Sequence, residues 1–426
     1  MSGVIEELLS DIPIPKMVKI RQIFEQPRID DVEKACVEKL QNSGLIERIK
    51  PGQSVAVAVG SRGIKNIALI VRTVINEIKK KGASPFIVPA MGSHGGATAE
   101  GQRAVLEGLG VTEEYVGAPI KSSMEVVQLG KTDDGLPVYF DKIASSADAI
   151  VIINRIKPHT AFRGRIESGL MKMITIGLGK QKGAEICHAM GFGYMAKNVP
   201  QIARFALKKM PIVFGVGIVE NAYDETARIE VLHPEEMEDK EAELLMWAKQ
   251  HMGKILLDKF DILVIDEIGK DISGDGMDPN VTGRYPTPYA SGGPDVQRIV
   301  VLSLTEKSHG NANGVGTADF TTRRLFEKMR FDQTYPNALT STVVGPVKVP
   351  MVLDTDKLAI QAAIKTLNSV AEYGPTIVRI KNTLSLEEIM ISENLIPMVQ
   401  GRKDIKILTE PFDLRFDDKG TIEPFL

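Results

Sequence analysis

The sequence is poor in the side chains that build covalent or metal-based scaffolds. Of its 426 residues only two are cysteines, Cys36 and Cys187, which is too few for a disulfide framework, an iron–sulfur cluster or a four-thiolate zinc site. Histidine is also scarce, with six residues in the whole chain. Any bound metal must therefore be held mainly by histidine, carboxylate or a cofactor.

Neither charge of one sign nor hydrophobicity is concentrated in any part of the chain. Lys and Arg number 52 against 55 Asp and Glu, without a long basic run, so the footprint of a nucleic-acid-binding protein is missing. No stretch approaches the roughly 18 apolar residues of a membrane helix, and the N-terminus lacks the basic-then-apolar order of a signal peptide. We therefore expect a cytoplasmic protein without nucleic-acid or membrane partners.

What the chain does contain is typical of a folded α/β protein. Hydrophobic residues make up 43% and charged residues 25%, and a chain of this length exceeds the size at which one core keeps growing, so two domains are expected. Apolar runs at 54–60 and 84–90 flank a helical pattern at 66–81, which predicts a βαβ unit. Residues 147–154, ADAIVIIN, are typical of a buried parallel strand.

The strand-first pattern restarts at residues 260–269, FDILVIDEIG. It continues with predicted strands at 298–304, 347–353 and 376–380 and predicted helices at 318–329 and 356–369. We predict two α/β domains with mainly parallel sheets, residues 1–255 and 256–404, and an active site in the cleft between them. The tail, residues 405–426, has no helical period and could return to the first domain.

Three segments rich in small and polar residues follow strands of the first domain. They are Gly60-Ser61-Arg62-Gly63, Gly92-Ser93-His94-Gly95-Gly96 and Lys157-Pro158-His159. The carboxyl ends of parallel strands line the ligand crevice of an open sheet, so we expect these loops to converge. Plainer interpretations exist for both histidines: His94 could cap the following helix, and His159 could bond the backbone at a strand end.

Lys172 and His188 also stand in unusual surroundings. Lys172 lies in the apolar stretch SGLMKMITIG, where a desolvated lysine becomes a usable nucleophile or covalent anchor, although a lysine there could also extend to water. His188 adjoins Cys187 in EICHAMGFG, but the further Cys or His of a zinc site is missing. A hydrogen-bonded core histidine is its plainer interpretation. Residues 177–182, GLGKQK, do not match a P-loop.

Taken together and in this order, the segments resemble the nickel-pincer lactate racemase superfamily. Gly60-Ser61-Arg62 resembles its arginine loop, GSHGG its first catalytic-histidine motif and Lys157-Pro158-His159 its second, which is usually Glu-Pro-His. Ser168-Gly169-Leu170-Met171-Lys172 matches the Ser-Gly-x-x-Lys that carries the cofactor lysine, and His188 falls where the nickel histidine is expected. The specific motifs lie between residues 60 and 190.

The resemblance implies a covalent cofactor, the nickel-pincer nucleotide, which is a pyridinium-3,5-bisthiocarboxylic acid mononucleotide carrying nickel. It would be joined to Lys172 as a thioamide, and His188 would complete a square-planar site of the kind that suits Ni(II). By the same resemblance Ser61, Arg62 and Gly169 would contact the cofactor. Enzymes that synthesise the cofactor are then expected partners.

The activity implied is racemisation or epimerisation at C2 of a small 2-hydroxy acid. Hydride would pass reversibly between C2 and the cofactor while His94 and His159 move protons. Arg62 would stabilise the cofactor or the substrate carboxylate. Two alternatives stay open: another hydride-transfer enzyme on the same scaffold, such as a dehydrogenase or dehydratase, and a cofactor-binding protein without catalysis.

Departures from the family pattern indicate a divergent member. Val59 occupies the position of the Asp that usually precedes the arginine, Lys157 replaces Glu, and the segment from His159 to Lys172 is longer and more charged, with Arg163, Arg165 and Glu167. The Gln and Lys that bind lactate in the second domain have no match. We therefore predict a substrate larger than lactate, a sugar acid or a hydroxy-dicarboxylate.

Candidate substrate contacts lie in two glycine-rich segments of the second domain, residues 273–284 and 309–324. Their side chains that suit a carboxylate or hydroxyl are Arg284, Thr321, Thr322 and Arg323. Each could equally belong to an ordinary capped loop whose arginine faces water.

Overall fold

The computed structural model describes residues 2–61, 63–368, 372 and 374–425. The chain forms two compact units, one of residues Glu25–Met252 and one that combines Met1–Phe24 with Gly253–Leu426. The division after residue 252 lies close to the predicted one after 255, but the first 24 residues belong to the second unit. Within the described ranges, none of the helices has both the length and the apolar character of a membrane span.

The strands of the described residues are short, between three and nine residues long. In chain order they are β1 Met17–Gln22, β2 Ser54–Val59, β3 Ser84–Pro89, β4 Val126–Lys131, β5 Pro137–Asp141, β6 Ala149–Arg155, β7 Ile212–Glu220, β8 Thr226–Leu232, β9 Lys259–Ile265, β10 Asp295–Val301, β11 Phe320–Thr322, β12 Met351–Leu353, β13 Ile377–Ile380, β14 Glu388–Ser392 and β15 Ile405–Ile407.

The α-helices follow the same order. They are α1 Ser2–Leu9, α2 Val32–Asn42, α3 Ile67–Lys80, α4 Ala99–Gly108, α5 Glu113–Val116, α6 Lys142–Ser145, α7 Leu170–Lys172, α8 Lys180–Ala189, α9 Met195–Lys209, α10 Met237–His251, α11 Pro279–Thr282, α12 Arg323–Lys328, α13 Phe331–Ser341, α14 Asp356–Lys365 and α15 Ile396–Val399.

The unit of residues 25–252 is built on a five-stranded sheet with the order β3-β2-β6-β7-β8. The first four strands are parallel and β8 is antiparallel to β7. Residues 55–59 of β2 are all buried, as expected of a strand covered on both faces. Helix α3 packs against the sheet through Ile70, Val74 and Ile78, which share one helical face. The carboxyl ends of β2, β3, β6 and β7 therefore lie at one edge.

The other unit contains an eight-stranded sheet with the order β12-β11-β10-β9-β13-β14-β1-β15. Strands β12 to β13 in that order are parallel, and β14, β1 and β15 continue the sheet as antiparallel strands. Its core is formed by the buried faces of β9, β10 and β13 with apolar residues of the neighbouring helices and loops. The prediction of two α/β units with mainly parallel sheets is confirmed.

Two segments of this unit differ in detail from what was expected. The tail pairs with the N-terminal strand, which belongs to the same unit as the tail: β15 pairs with β1, and the amide of Met17 donates to the carbonyl of Phe412. The predicted helix at 318–329 begins only at Arg323, since Phe320–Thr322 form the strand between β10 and β12. β-Branched and aromatic residues suit a buried strand, and Thr322 then caps the helix through the amide of Leu325.

Candidate active site

Two of the predicted loops meet at the carboxyl edge of the five-stranded sheet. Ser61 follows β2 and His94 follows β3, and the hydroxyl oxygen of Ser61 lies 2.5 Å from Nδ1 of the His94 ring. This hydrogen bond fixes the orientation of the imidazole. Arg62, predicted to act in catalysis and in cofactor binding, lies outside the described residues.

The His94 loop depends on glycine and on backbone hydrogen bonds. Gly92, Gly95 and Gly96 all have a positive φ, and a Cβ on Gly95 would lie 2.5 Å from the carbonyl carbon of Gly101. The residue that caps α4 is Thr98, whose hydroxyl accepts from the Gly101 amide. The plainer interpretation of His94 as a helix cap is therefore wrong, and its side chain is directed to Ser61 instead.

His159 forms a contact with the predicted cofactor lysine. Nε2 of its ring lies 2.6 Å from Nζ of Lys172, and Nδ1 accepts a hydrogen bond of 3.0 Å from the Ala161 amide. Because Nδ1 is an acceptor, the neutral ring carries its proton on Nε2. In this tautomer Nε2–H faces Nζ of Lys172, and the two groups can share a hydrogen bond when the lysine is in its neutral amine form. Two predicted residues thus form one hydrogen-bonded pair.

The loop between His159 and Lys172 is held by a buried carboxylate. Glu167 is fully buried, and it accepts hydrogen bonds from the His159 amide at 2.7 Å and from Nζ of Lys249 at 2.6 Å. Arg163 donates to the same carboxylate at 3.3 Å and to the His159 carbonyl at 2.7 Å. Arg163 and Glu167 therefore bond within the loop, where they position His159.

Gly169 of the Ser-Gly-x-x-Lys segment lies against Glu241 of α10. A Cβ on Gly169 would overlap the Glu241 carboxyl, whose Oε2 accepts from the amide of Met171 at 2.9 Å and so caps the short helix that carries Lys172. Burial raises the pKa of Glu241 to about 8, and its Oε1 has no hydrogen-bond partner among the described residues. The glycine makes room for this carboxyl.

The ring of His188, near the end of α8, is neutral and has a nitrogen without a hydrogen-bond partner among the described residues. Its ring stacks on Phe192 with 5.4 Å between centroids, and the His159 ring lies 6.2 Å from the same phenyl ring. Burial, and secondarily the nearby Lys172, lowers the pKa of His188 to about 4. Nδ1 is buried without a hydrogen-bond partner among the described residues, so His188 differs from a fully hydrogen-bonded core histidine. A neutral ring is the form that binds metals.

The two cysteines are buried thiols. Burial raises the pKa of Cys187, beside His188, to about 12, and burial together with Glu77 raises that of Cys36 to about 12. A thiol with such a pKa is protonated at neutral pH. Within the part of the chain that the structure describes, no three His, Cys, Asp or Glu side chains are grouped as metal ligands.

The four substrate contacts predicted in the second domain have protein partners. Thr321 and Thr322 are fully buried, and their hydroxyls donate to the carbonyls of Val301 and Leu302. Side chains enclosed in this way cannot contact a substrate, so the prediction is wrong for both threonines. Arg284 pairs with Asp319 at 3.2 Å and Arg323 pairs with Asp354 at 2.6 Å, as expected of arginines that support the fold.

Sequence reasoning missed three residues that hold this site. Asn154 donates from Nδ2 to the carbonyl of Gly169 at 3.0 Å, and as the polar end of an apolar strand it could have been found. Phe192 contacts both His159 and His188, and Glu241 caps the lysine helix. The sequence around Phe192 and Glu241 does not mark either as a site residue. Phe192 is an ordinary apolar residue, and Glu241 lies within a charged helix.

Comparison with known proteins places these observations in a family context. Residues 9–198 match the family model described as the lactate racemase N-terminal domain. The solved structure of the lactate racemase apoprotein from Thermoanaerobacterium thermosaccharolyticum is similar in fold, with a TM-score of 0.53 and 16% sequence identity over 87% of this chain and 99% of that one. No curated protein sequence matches the chain.

Proposed function

We propose that this chain, whose residues 9–198 match the lactate racemase N-terminal domain, is an isomerase that inverts C2 of a 2-hydroxy acid with the help of a nickel-pincer nucleotide. The observation that carries the proposal is the contact of Lys172 with His159 at 2.6 Å, close to a half-buried, neutral His188. In this proposal Lys172 is the amine that attaches the cofactor, His159 is a proton-transfer group and His188 is the metal ligand.

The residues fit the cofactor. We propose that His159, whose Nε2 lies 2.6 Å from Nζ of Lys172, holds the lysine as a neutral amine during cofactor attachment, because the neutral amine is the form that attacks a carboxyl derivative. His188 supplies a single neutral nitrogen, which suits a metal that receives its other donors from the cofactor. We further propose Ser61, Arg62 and Gly169 as cofactor contacts, of which Arg62 would neutralise phosphate or substrate carboxylate.

When bound, the cofactor would supply a reversible hydride acceptor. The chain itself would supply proton transfer, with His94 on one side of the substrate and His159 on the other. Two groups are needed because the two enantiomers present their C2 hydroxyls in opposite directions. Ser61 holds the His94 ring in place through Nδ1, and the Ala161 amide does the same for His159.

We propose a substrate larger than lactate, either a sugar acid or a hydroxy-dicarboxylate. Several differences from the family's sequence pattern suggested this larger substrate. Among them, Arg163 and Glu167 bond within the His159 loop, and Arg165 pairs with Asp239. Lys157, which lies near the Glu220 and Asp224 carboxyls, also supports this part of the proposal, because it places an ammonium where the resembled family has a carboxylate. A second anionic group on the substrate would suit that exchange of charge.

Intact mass and metal analysis test the proposal directly. The chain is produced together with cofactor-synthesis enzymes, and we expect a mass increase and bound nickel that are both lost or greatly reduced in Lys172→Ala. A mass increase that persists in Lys172→Ala overturns the covalent assignment. A dissociable nicotinamide nucleotide without nickel supports the dehydrogenase alternative instead.

A stereochemical assay tests the reaction itself. Loaded protein is incubated with single enantiomers of lactate, of sugar acids and of hydroxy-dicarboxylates, and the products are separated by chiral chromatography. We expect interconversion of a larger acid, and its loss in His94→Gln. Loaded protein that interconverts none of these acids supports a cofactor-binding protein without catalysis.

A further inference from the structure

Lys180, the first residue of α8, combines two features that are unfavourable for a lysine. Its side chain is fully buried, and its φ of 54° lies in the left-handed region that favours glycine. Burial of an ammonium is costly, and an apolar residue of similar volume is often as stable or more stable in such a place. A residue that is both a buried charge and in a left-handed conformation is unfavourable on two counts, and such positions are characteristic of functional sites.

The Lys180 ammonium is surrounded by three oxygen atoms from three different elements. It donates to the Pro89 carbonyl at 2.5 Å, where β3 ends, and to Oε1 of Gln102 on α4 at 3.0 Å. Asp141 at the end of β5 forms a buried ion pair with it at 3.1 Å. Burial lowers the pKa of Lys180, and Asp141 opposes that shift. The ammonium therefore links the His94 side of the sheet to the β4-β5 hairpin.

Gln102 extends this link to the catalytic loop. It is fully buried, and its Nε2 donates to the carbonyl of Gly92 at 2.8 Å and to that of His94 at 3.3 Å. Only one side chain thus separates the Lys180 ammonium from the backbone of His94. At its other end, α8 carries His188. A shift of Lys180 would move the His94 loop relative to the helix of the proposed metal ligand.

We propose that Lys180 is a positioning residue that sets the place of His94 in the active site, through Gln102 and the Pro89 carbonyl, and couples this loop to the helix carrying His188. This role explains why a buried ion pair is retained where apolar packing would serve stability. It also explains why a lysine stands in the segment GLGKQK, residues 177–182, which does not match a P-loop. The ammonium of Lys180 binds oxygen atoms of the protein itself, those of Pro89, Gln102 and Asp141.

The test replaces the ammonium by an apolar chain of similar length, Lys180→Met, in the full chain labelled with 15N-histidine. The ring resonances of His94, assigned by their loss in His94→Gln, are expected to move as the contact with Ser61 changes. Lys182→Met is the matched control, because Lys182 is exposed over the Tyr139 ring. His94 resonances that are the same in Lys180→Met and in the unmodified chain overturn the proposal.

Two further variants separate positioning from stability. Lys180→Met leaves the Asp141 carboxylate buried without its cation, whereas Lys180→Met with Asp141→Asn removes that charge and is expected to recover thermal stability while His94 stays displaced. Gln102→Met removes the bonds to Gly92 and His94 and one acceptor of Lys180, but it leaves the Lys180–Asp141 ion pair in place. It should displace His94 even if Lys180→Met does not fold. Normal His94 resonances in Gln102→Met, or their return in the double variant, contradict the proposal.

A kinetic measurement extends the test and rests on the proposed function. In loaded protein, Lys180→Met is expected to lower kcat by about 100-fold, as a small displacement of a catalytic group does, with KM and nickel content unchanged. Unchanged kcat overturns the role. If the unmodified loaded chain shows no isomerase activity, the proposed function fails, and the His94 resonances still decide the position of the loop.

Discussion

The loops that carry His94 and His159 follow strands of the same sheet, but they are held by opposite chemistry. The His94 loop offers carbonyl oxygens to the Gln102 amide, which is itself bound to the buried Lys180 cation. The His159 loop offers an amide to the buried Glu167 anion, which is bound to Lys249. A loop of the candidate site can therefore be fixed by a buried group of either charge.

The largest effect is expected when the anion of the His159 loop is removed. Glu167→Gln leaves Lys249 and Arg163 without their carboxylate and should lower the free energy of unfolding by about 3–5 kcal/mol, the usual loss when a buried pair is broken. Chemical denaturation measures it. Asp239→Asn is the matched control, because Asp239 pairs with Arg165 at the surface, and surface pairs contribute about 0–1 kcal/mol. Equal losses in the two variants would show that Glu167 does not hold the loop.

Glycine substitutions compare the two loops at a smaller scale. We expect Gly95→Ala to destabilise the protein by about 1–3 kcal/mol and more than Gly169→Ala, because a Cβ at 95 meets backbone of Gly101, whereas a Cβ at 169 meets the Glu241 side chain, which can move. Gly96→Ala is the control. It has the same left-handed φ but no atom within 4 Å of a Cβ. Melting temperatures in the reverse order would contradict this account of the His94 loop.

Measured per pH unit, the smallest effect is a dependence of stability on pH that is confined to the Lys172 side. Folding raises the pKa of Glu241 from 4.5 to about 8, so the folded state binds its proton more tightly. The stability from this proton is complete below pH 4.5 and is lost as pH rises to about 8. The unmodified chain should lose at most about 1.4 kcal/mol per pH unit relative to Glu241→Gln over that range. Parallel stability curves for the two proteins would show that Glu241 does not titrate in this way.

Local pattern was sufficient for most elements of the five-stranded sheet. Strands β2, β3 and β6 and helix α3 follow the predicted segments within a few residues, because buried parallel strands are uniformly apolar and α3 has one apolar face. The prediction of helix at 318–329 was wrong where three residues, Phe320–Thr322, are paired on both sides by other strands. Strand pairing of that kind overrides a local helical pattern.

The sequence by itself determined which residue types could act and in what order they stand: His94, His159, Lys172 and His188 were all named from local motifs and a family resemblance. Only the tertiary structure decided their states. The tautomer of His159 depends on Ala161 and Lys172, the neutrality of His188 on burial, and the place of His94 on Lys180 and Gln102. Hydrogen bonds and desolvation act between groups that are close in space, and local sequence carries no record of those distances.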